Sequence, residues 1–195
     1  MQVRPAEPAD ITAMAATLAD AHVDYEWSMW AFPGAAAERH RRLLGLMTIT
    51  LETSVPHGLV WTTDDCACVA VWGAPAPLPP DPLAEQHAAA EAELIGADGP
   101  RLDAADALTR PHHPPRPRRY LGTIGTRPAQ RGHGLARAVL APVLEQCDRE
   151  RVPAFLETSS AANERFYERL GFEVTHRTVT ADGLLPLIVM VRTPR

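Results

Sequence analysis

Ile11, Met14, Ala15 and Leu18 recur at the three- and four-residue spacing of one helix face, and the acidic, proline-marked residues 7–10 ahead of them read as a helix start. Residues 2–4 before that start predict a short strand. The helix should run toward Tyr25 and into a turn rich in aromatics, Trp27, Trp30 and Phe32, before Pro33 and Gly34 break the pattern. A second helix is predicted over residues 35–53. The period then shortens to two β-like runs, 59–62 and 67–72, joined through Thr63, Asp64 and Asp65 as a hairpin. Cys66 and Cys68 alternate with Ala67 and Val69, so in a strand both would face one side.

Residues 74–118 shift to Pro, Ala and His, with APAPLPPDP at one end and RPHHPPRP at the other. The flanks read as extended linkers. Between them residues 83–95 have strong helical propensity and 102–108 suit a shorter helix, so the segment is predicted to be a helical insert covering one face. Adjacent His112 and His113 point in divergent directions in such a linker and are read as solvated rather than metal-binding.

The remaining pattern carries the chemistry. Residues 120–126 predict a strand, followed by a loop with Gly132 and Gly134 and an apolar helix over 138–148. Two glycines let the backbone turn sharply and approach a ligand, and the helix aims its free N–H groups and positive dipole end at the loop. Arg127, Arg131, His133 and Arg137 concentrate positive charge there, which suits a polyanionic pyrophosphate. A Rossmann loop would need a third glycine where Arg137 stands, and a P-loop would need Lys followed by Ser or Thr, so hydride transfer and nucleotide hydrolysis are disfavoured. Further on, residues 153–158 predict a strand, 163–170 a short helix and 171–174 another strand.

Composition narrows the class. The 195 residues suit one domain, and 46% hydrophobic with 22% charged residues is the balance of an ordinary globular protein. A formal charge of -5 argues against broad nucleic-acid binding, so an anionic ligand must be held locally. Three cysteines give no disulfide framework or metal set and fit a reducing, cytoplasmic setting. No apolar run is long enough to span a bilayer.

Arg131, Gly134 and Ala136 satisfy the R/Q-x-x-G-x-G/A signature, and Asn163, Phe166, Tyr167, Gly171 and Phe172 follow in an N-x-x-F-Y-x-x-x-G-F run. With these two motifs at this interval the chain resembles the GNAT N-acetyltransferases. VPAFLETS, FYERLGF, VAVW and the Asp24-Tyr25 pair resemble the puromycin N-acetyltransferases within that class, over most of the chain and most weakly at residues 27–37 and in the insert. The resemblance implies an α/β GNAT fold in one domain spanning 1–195. Its sheet would be mixed, mostly antiparallel and twisted, with helices on both faces and a V-shaped gap between the strands at Tyr120 and Pro153. It implies acetyl-CoA as cosubstrate, held by Ile124, Gly125, Thr126, Arg131, Gly132, His133, Gly134, Leu135, Ala136, Asn163 and Phe166. It assigns Tyr25 as a base and Tyr167 as an acid, and leaves the oligomeric state as monomer or homodimer.

The chemistry can be argued from the reaction itself. The attacking amine must lose a proton, the carbonyl oxygen gains charge, and a thiolate must leave. A phenol of pKa about 10 beside a leaving thiol of about 8.5 can protonate the sulfur as charge develops, and Tyr167 fits that role. A neutral phenol accepts a proton poorly near neutral pH, so Glu157, at the end of its strand, is the carboxylate expected to take the amine proton through a water. The oxyanion donor is expected among the backbone amides of residues 120–126. Trp27, Trp30 and Phe32 are candidate walls for a small-molecule amine, an antibiotic or other secondary metabolite, with Trp61 and Trp72 as further aromatics of which at least half should be core. An acidic groove would instead favour a protein or peptide amine, and binding without turnover a non-catalytic acyl-CoA-binding module.

Overall fold

A computed structural model describes residues 2–195. Strand β1 (Val3–Pro5) leads through a 3-10 turn into helix α1 (Ile11–His22), whose Met14, Ala15 and Leu18 are buried as the period predicts. The aromatic segment is a helix rather than a turn: α2 (Glu26–Ala31) starts after an extended Tyr25 and ends before Pro33. Its Met, Ala and Glu suit a helix, and nothing in it is β-branched. Helix α3 (Ala36–Ser54) and strands β2 (Val60–Thr63) and β3 (Cys68–Gly73) follow closely on their predicted ranges.

The insert holds α4 (Ala84–Ile95) and α5 (Gly99–Thr109). Strand β4 (Arg119–Thr126), helix α6 (Leu135–Glu150), strand β5 (Ala154–Thr158), helix α7 (Ala161–Glu168) and the hairpin β6 (Glu173–Val179) with β7 (Pro186–Arg192) complete the chain. Leu185 and Leu187 of the hairpin pack with Ala105 of α5.

The strands form one sheet in the order β1-β2-β3-β4-β5-β7-β6. All neighbours are antiparallel except β4 and β5. Central strand β3 is apolar on both sides: Cys68, Ala70 and Trp72 face a core with α6 and α7, whereas Val69 and Val71 face α1 and α3. Cys66 does not share a face with Cys68. It occupies the hairpin turn at φ 53° and packs with the α1 core, while Cys68 packs with the α6 core. Among the described residues no cluster of His, Cys, Asp and Glu could hold a metal, and no helix is long and apolar enough to cross a membrane.

Two features shape the gap that the resemblance implies. β4 and β5 pair only from Arg119–Leu121 to Ala154–Leu156. Immediately afterwards β4 carries a bulge, with Trp72 opposite Leu121 and Val71 opposite Thr123, so Gly122 is the extra residue that bends β4 away. On the other face α1 lies directly on β4, where a Cβ at Gly125 would stand 2.9 Å from the Ala21 Cβ and 3.0 Å from a Leu18 methyl.

The insert is clamped to α3 by Arg42. Its Nε donates to the Leu94 carbonyl at 2.5 Å, its Nη2 to the Ile95 carbonyl and its Nη1 to Asp98 at 2.8 Å. A guanidinium on the last carbonyls of α4 is the charge a helix C-terminus favours.

Candidate active site

A cavity of about 1480 Å³ opens where β4 and β5 part. It runs from the α6 N-terminus past Tyr167 to Trp27, Phe32 and the inner side of α5.

At one end Gly132 (φ 83°) and Gly134 (φ 78°) adopt left-handed conformations, and a Cβ at either would meet nothing within 4 Å. The loop is therefore bare backbone open to a ligand. The Ala138 amide bonds the Gly134 carbonyl, so the amides of Leu135, Ala136 and Arg137 lack helical partners and face the N-terminal side. Arg131 lines the cavity and ties the loop to α1 through Nη2 and the Ala21 carbonyl at 3.0 Å. His133 lies outside the lining, exposed, with Nδ1 3.2 Å from the Gln130 carbonyl. Leu135 turns its side chain into the α6 core while still bordering the cavity.

The backbone of β4 presents donors to the same space. The Arg127 amide bonds the Ala67 carbonyl, and alternation along the β3–β4 ladder then turns the Ile124 and Thr126 amides toward the gap, where β5 no longer pairs. Ile124, Gly125 and Thr126 border the cavity, as do Asn163 and Phe166 of α7.

Tyr167 sits at the floor, 6% exposed, held by edge contacts with Phe166 (5.2 Å) and Phe172 (5.8 Å). Its hydroxyl makes no hydrogen bond among the described residues, and burial, with the nearby Tyr25, pushes the phenol well above its ordinary range. It is a loaded donor at any ordinary pH.

Tyr25 crosses to the end of β5. Its oxygen accepts from the Ser159 amide at 2.9 Å and lies 3.2 Å from Thr158 Oγ1, so one lone pair is already engaged. Glu157 is bound on both oxygens: Oε1 by His113 Nε2 at 2.9 Å and Oε2 by the Tyr120 hydroxyl at 3.1 Å. Desolvation, then the Glu157 charge, keeps the Tyr120 phenol protonated and thus a donor. No arginine pairs with Glu157. The solvated-linker reading of His113 is overturned: its side chain is only 11% exposed and its ring packs 4.7 Å from Phe155. His112 stacks on His176 at 3.3 Å, which fastens the end of the insert to β6.

Sequence reasoning also missed His22. Its Nδ1 donates to the Leu18 carbonyl at 2.8 Å, leaving Nε2 3.4 Å from Thr123 Oγ1, and burial lowers its pKa so that the ring is neutral and accepting. Its place three residues before Tyr25, in the last turn of α1, was the available signal.

Of the aromatic candidates, Trp27 and Phe32 border the cavity and meet edge to face at 6.2 Å. Trp30 does not. Its indole N–H donates to Asp182 at 2.8 Å and Arg101 lies over its ring, so it links α2 to α5 and the β6–β7 turn. Trp72 is core and Trp61 packs beside it. The cavity is also bordered by Asp20, Asp24, Glu26, Asp103 and Asp106, carboxylates that no periodicity had brought together, of which Asp20, Asp24 and Asp106 also pair with His40, Arg39 and Arg110.

Residues 113–192 match the family model described as an acetyltransferase (GNAT) domain. That stretch, less than half of the chain, is similar to the GNAT acetyltransferases. An uncharacterized N-acetyltransferase of Schizosaccharomyces pombe is 34% identical over 77 residues, which is 38% of this chain and 31% of the relative. The chain thus aligns with about a third of that relative's length. A histone acetyltransferase HPA2-related acetyltransferase of Corynebacterium glutamicum superposes with a TM-score of 0.72 at 22% identity, covering 100% of this chain and 96% of that one. The Drosophila melanogaster polyamine N acetyltransferase gives 0.62 at 18% identity, with 98% and 99% covered. The Escherichia coli ribosomal-protein-S18-alanine N-acetyltransferase gives 0.54 at 18%, with 98% and 92% covered. At these identities the structures establish the GNAT fold of the sheet and its helices.

Proposed function

We propose that the protein transfers an acetyl group from acetyl-CoA to the amine of a small molecule by direct attack within a ternary complex. The observation that carries this reading is the juxtaposition, in one cavity, of an open α6 N-terminus, the unpaired β4 amides and the unbonded Tyr167 hydroxyl.

The α6 amides and the Gly132–Gly134 loop would hold the pyrophosphate, with Arg131 adding charge. The remainder of acetyl-CoA would follow β4 where β5 has left it, so that Ile124 or Thr126 N–H stabilises the developing oxyanion. Glu157 takes the amine proton through a water, Tyr25 orders the end of β5, and Tyr167 delivers a proton to the departing sulfur. The phenoxide so formed recovers its proton from the nitrogen of the collapsing adduct.

The acceptor is read as a cationic amine with an apolar portion. Trp27 and Phe32 supply the apolar surface, and the acidic wall draws in positive charge. Puromycin, other antibiotics and polyamines all belong to that class. The same acidic wall favours a second reading, a basic peptide or protein N-terminus. Thiol release from acetyl-CoA against puromycin, aminoglycosides, polyamines, amino acids and peptides separates the two. Turnover with small amines and none with peptides supports the first, and no release with any acceptor refutes catalysis in favour of an acyl-CoA-binding module. Calorimetry that finds no affinity for coenzyme A or acetyl-CoA overturns the reading altogether.

A further inference from the structure

Direct acetyl transfer from a thioester to an ammonium group leaves one proton over. The N–C bond forms, the C–S bond breaks and the sulfur takes a proton from Tyr167, which the adduct nitrogen returns. The proton first removed from the ammonium group remains on Glu157, and it must leave before the next turnover.

Glu157 Oε1 is 2.9 Å from His113 Nε2. His113 borders a second cavity of about 350 Å³, lined by Gly73, Leu78, Arg116, Arg118 and Tyr120 among others. Tyr120 and the β4–β5 junction separate the two spaces: Tyr120 borders both, Glu157 only the larger and His113 only the smaller. The ring nitrogen Nδ1 has no partner among the described residues and is not among their buried unpartnered atoms. The ring is held in place by Phe155 at 4.7 Å and by the stacking of neighbouring His112 on His176.

We propose that His113 is a proton-relay and positioning residue, carrying the reaction's surplus proton from Glu157 in the main cavity to solvent in the second. This rests on the acetyltransferase reading above. In the Nδ1–H tautomer Nε2 takes the proton as the Glu157 O–H bond breaks, the imidazolium releases its Nδ1 proton to solvent on the second cavity's side, and proton exchange with solvent returns the ring to the Nδ1–H tautomer before the next turnover. The relay also fixes the carboxylate, because Tyr120 donates to its other oxygen and Glu157 cannot rotate away. The charged and titratable groups around the relay are Tyr120 from β4, Arg116 and Arg118 from the linker, with Arg118 5.0 Å over Phe155, the His112–His176 pair toward β6, and Asp106 of α5 near Tyr120.

The test compares wild type, His113→Gln and His113→Ala after each is shown to melt cooperatively and to bind acetyl-CoA by calorimetry. Glutamine keeps a donor to Glu157 but carries no proton. The expected result is a fall in kcat of roughly tenfold or more in both variants, with KM for acetyl-CoA within about twofold, a changed acidic limb of the kcat–pH profile, and recovery of kcat in His113→Ala as imidazole buffer is raised. Wild-type kcat and pH profile in both variants, without buffer dependence, would overturn the relay while leaving the acetyltransferase reading intact. A wild-type protein that binds acetyl-CoA yet acetylates no acceptor would instead refute that reading, and the relay with it.

Discussion

Tyr167 concentrates the chemical argument in one side chain. A phenol with an elevated pKa, packed between Phe166 and Phe172 and unbonded among the described residues, stays protonated and can donate to the departing sulfur as negative charge develops on it, in a buried site that disfavours a free thiolate. Tyr167→Phe keeps the ring packing and removes the hydroxyl, so turnover should fall at least about tenfold with the affinity for acetyl-CoA nearly unchanged. Stopped-flow thiol release together with calorimetry separates the two, and unchanged turnover in a folded variant would remove Tyr167 from the mechanism. Tyr167 was legible in the sequence because the N-x-x-F-Y run marks it. His113 was not legible. Its contact with Glu157 joins positions 44 apart and is made only because β4 and β5 lie side by side and the insert returns to their edge.

At the scale of elements, short-range pattern predicted most helices and strands, since burial on one face leaves a period. It failed where conformation depends on partners: α2 is helical although rich in aromatics, and Cys66 leaves the strand for the turn. It could not show which helix lies on which strand. The α1–β4 contact is set by Gly125, where there is no room for a methyl between the strand and Ala21 and Leu18. Gly125→Val should therefore force α1 off β4, destabilise by about 1–3 kcal/mol and distort the cavity wall that β4 provides. Urea unfolding measures the first effect and acetyl-CoA affinity the second; a variant with wild-type stability would show that α1 yields freely. The glycine turn ahead of α6 was legible because its glycines and arginines are contiguous. The acidic stretch of the cavity wall was not, since it gathers residues from α1, the start of α2 with Asp24 ahead of it, and α5.

A different element-scale bond sets the acid limit. Asp148 at the end of α6 receives two charge-assisted hydrogen bonds from Arg192 of β7, at 2.8 and 2.7 Å, and these hold its carboxyl at about 2 rather than 3.8. A carboxyl with a lower pKa folded than unfolded contributes stability that is complete above its unfolded value and is lost as pH falls through the folded one. The pair's contribution should therefore decline between about pH 4 and pH 2. Asp148→Asn should be less stable than wild type at neutral pH and should show a shallower loss across that window in urea titrations. Parallel curves for the two proteins would assign the acid sensitivity elsewhere.

The whole molecule is two sheet segments, β1–β4 and β5–β7, joined through only three paired positions and opened beyond them into the cavity. Parting two strands forfeits backbone hydrogen bonds and sheet packing, and the free protein bears that cost permanently. A ligand lying in the gap replaces the missing strand contacts on the β4 edge and touches α6 and α7 at the same time, so it should brace both segments together. Binding to the folded form alone at a hundred times Kd adds about 2.7 kcal/mol, which for a domain of this size raises Tm by roughly 5–10 °C. Because the protein is acidic overall and the α6 loop is a local positive site, the gain should shrink as salt rises, and a desphospho or pyrophosphate-lacking analogue should give less of it. Differential scanning calorimetry with coenzyme A, acetyl-CoA and such analogues measures each step. A Tm that coenzyme A leaves unmoved at saturating concentration would mean that the gap is not where an extended anionic thioester binds.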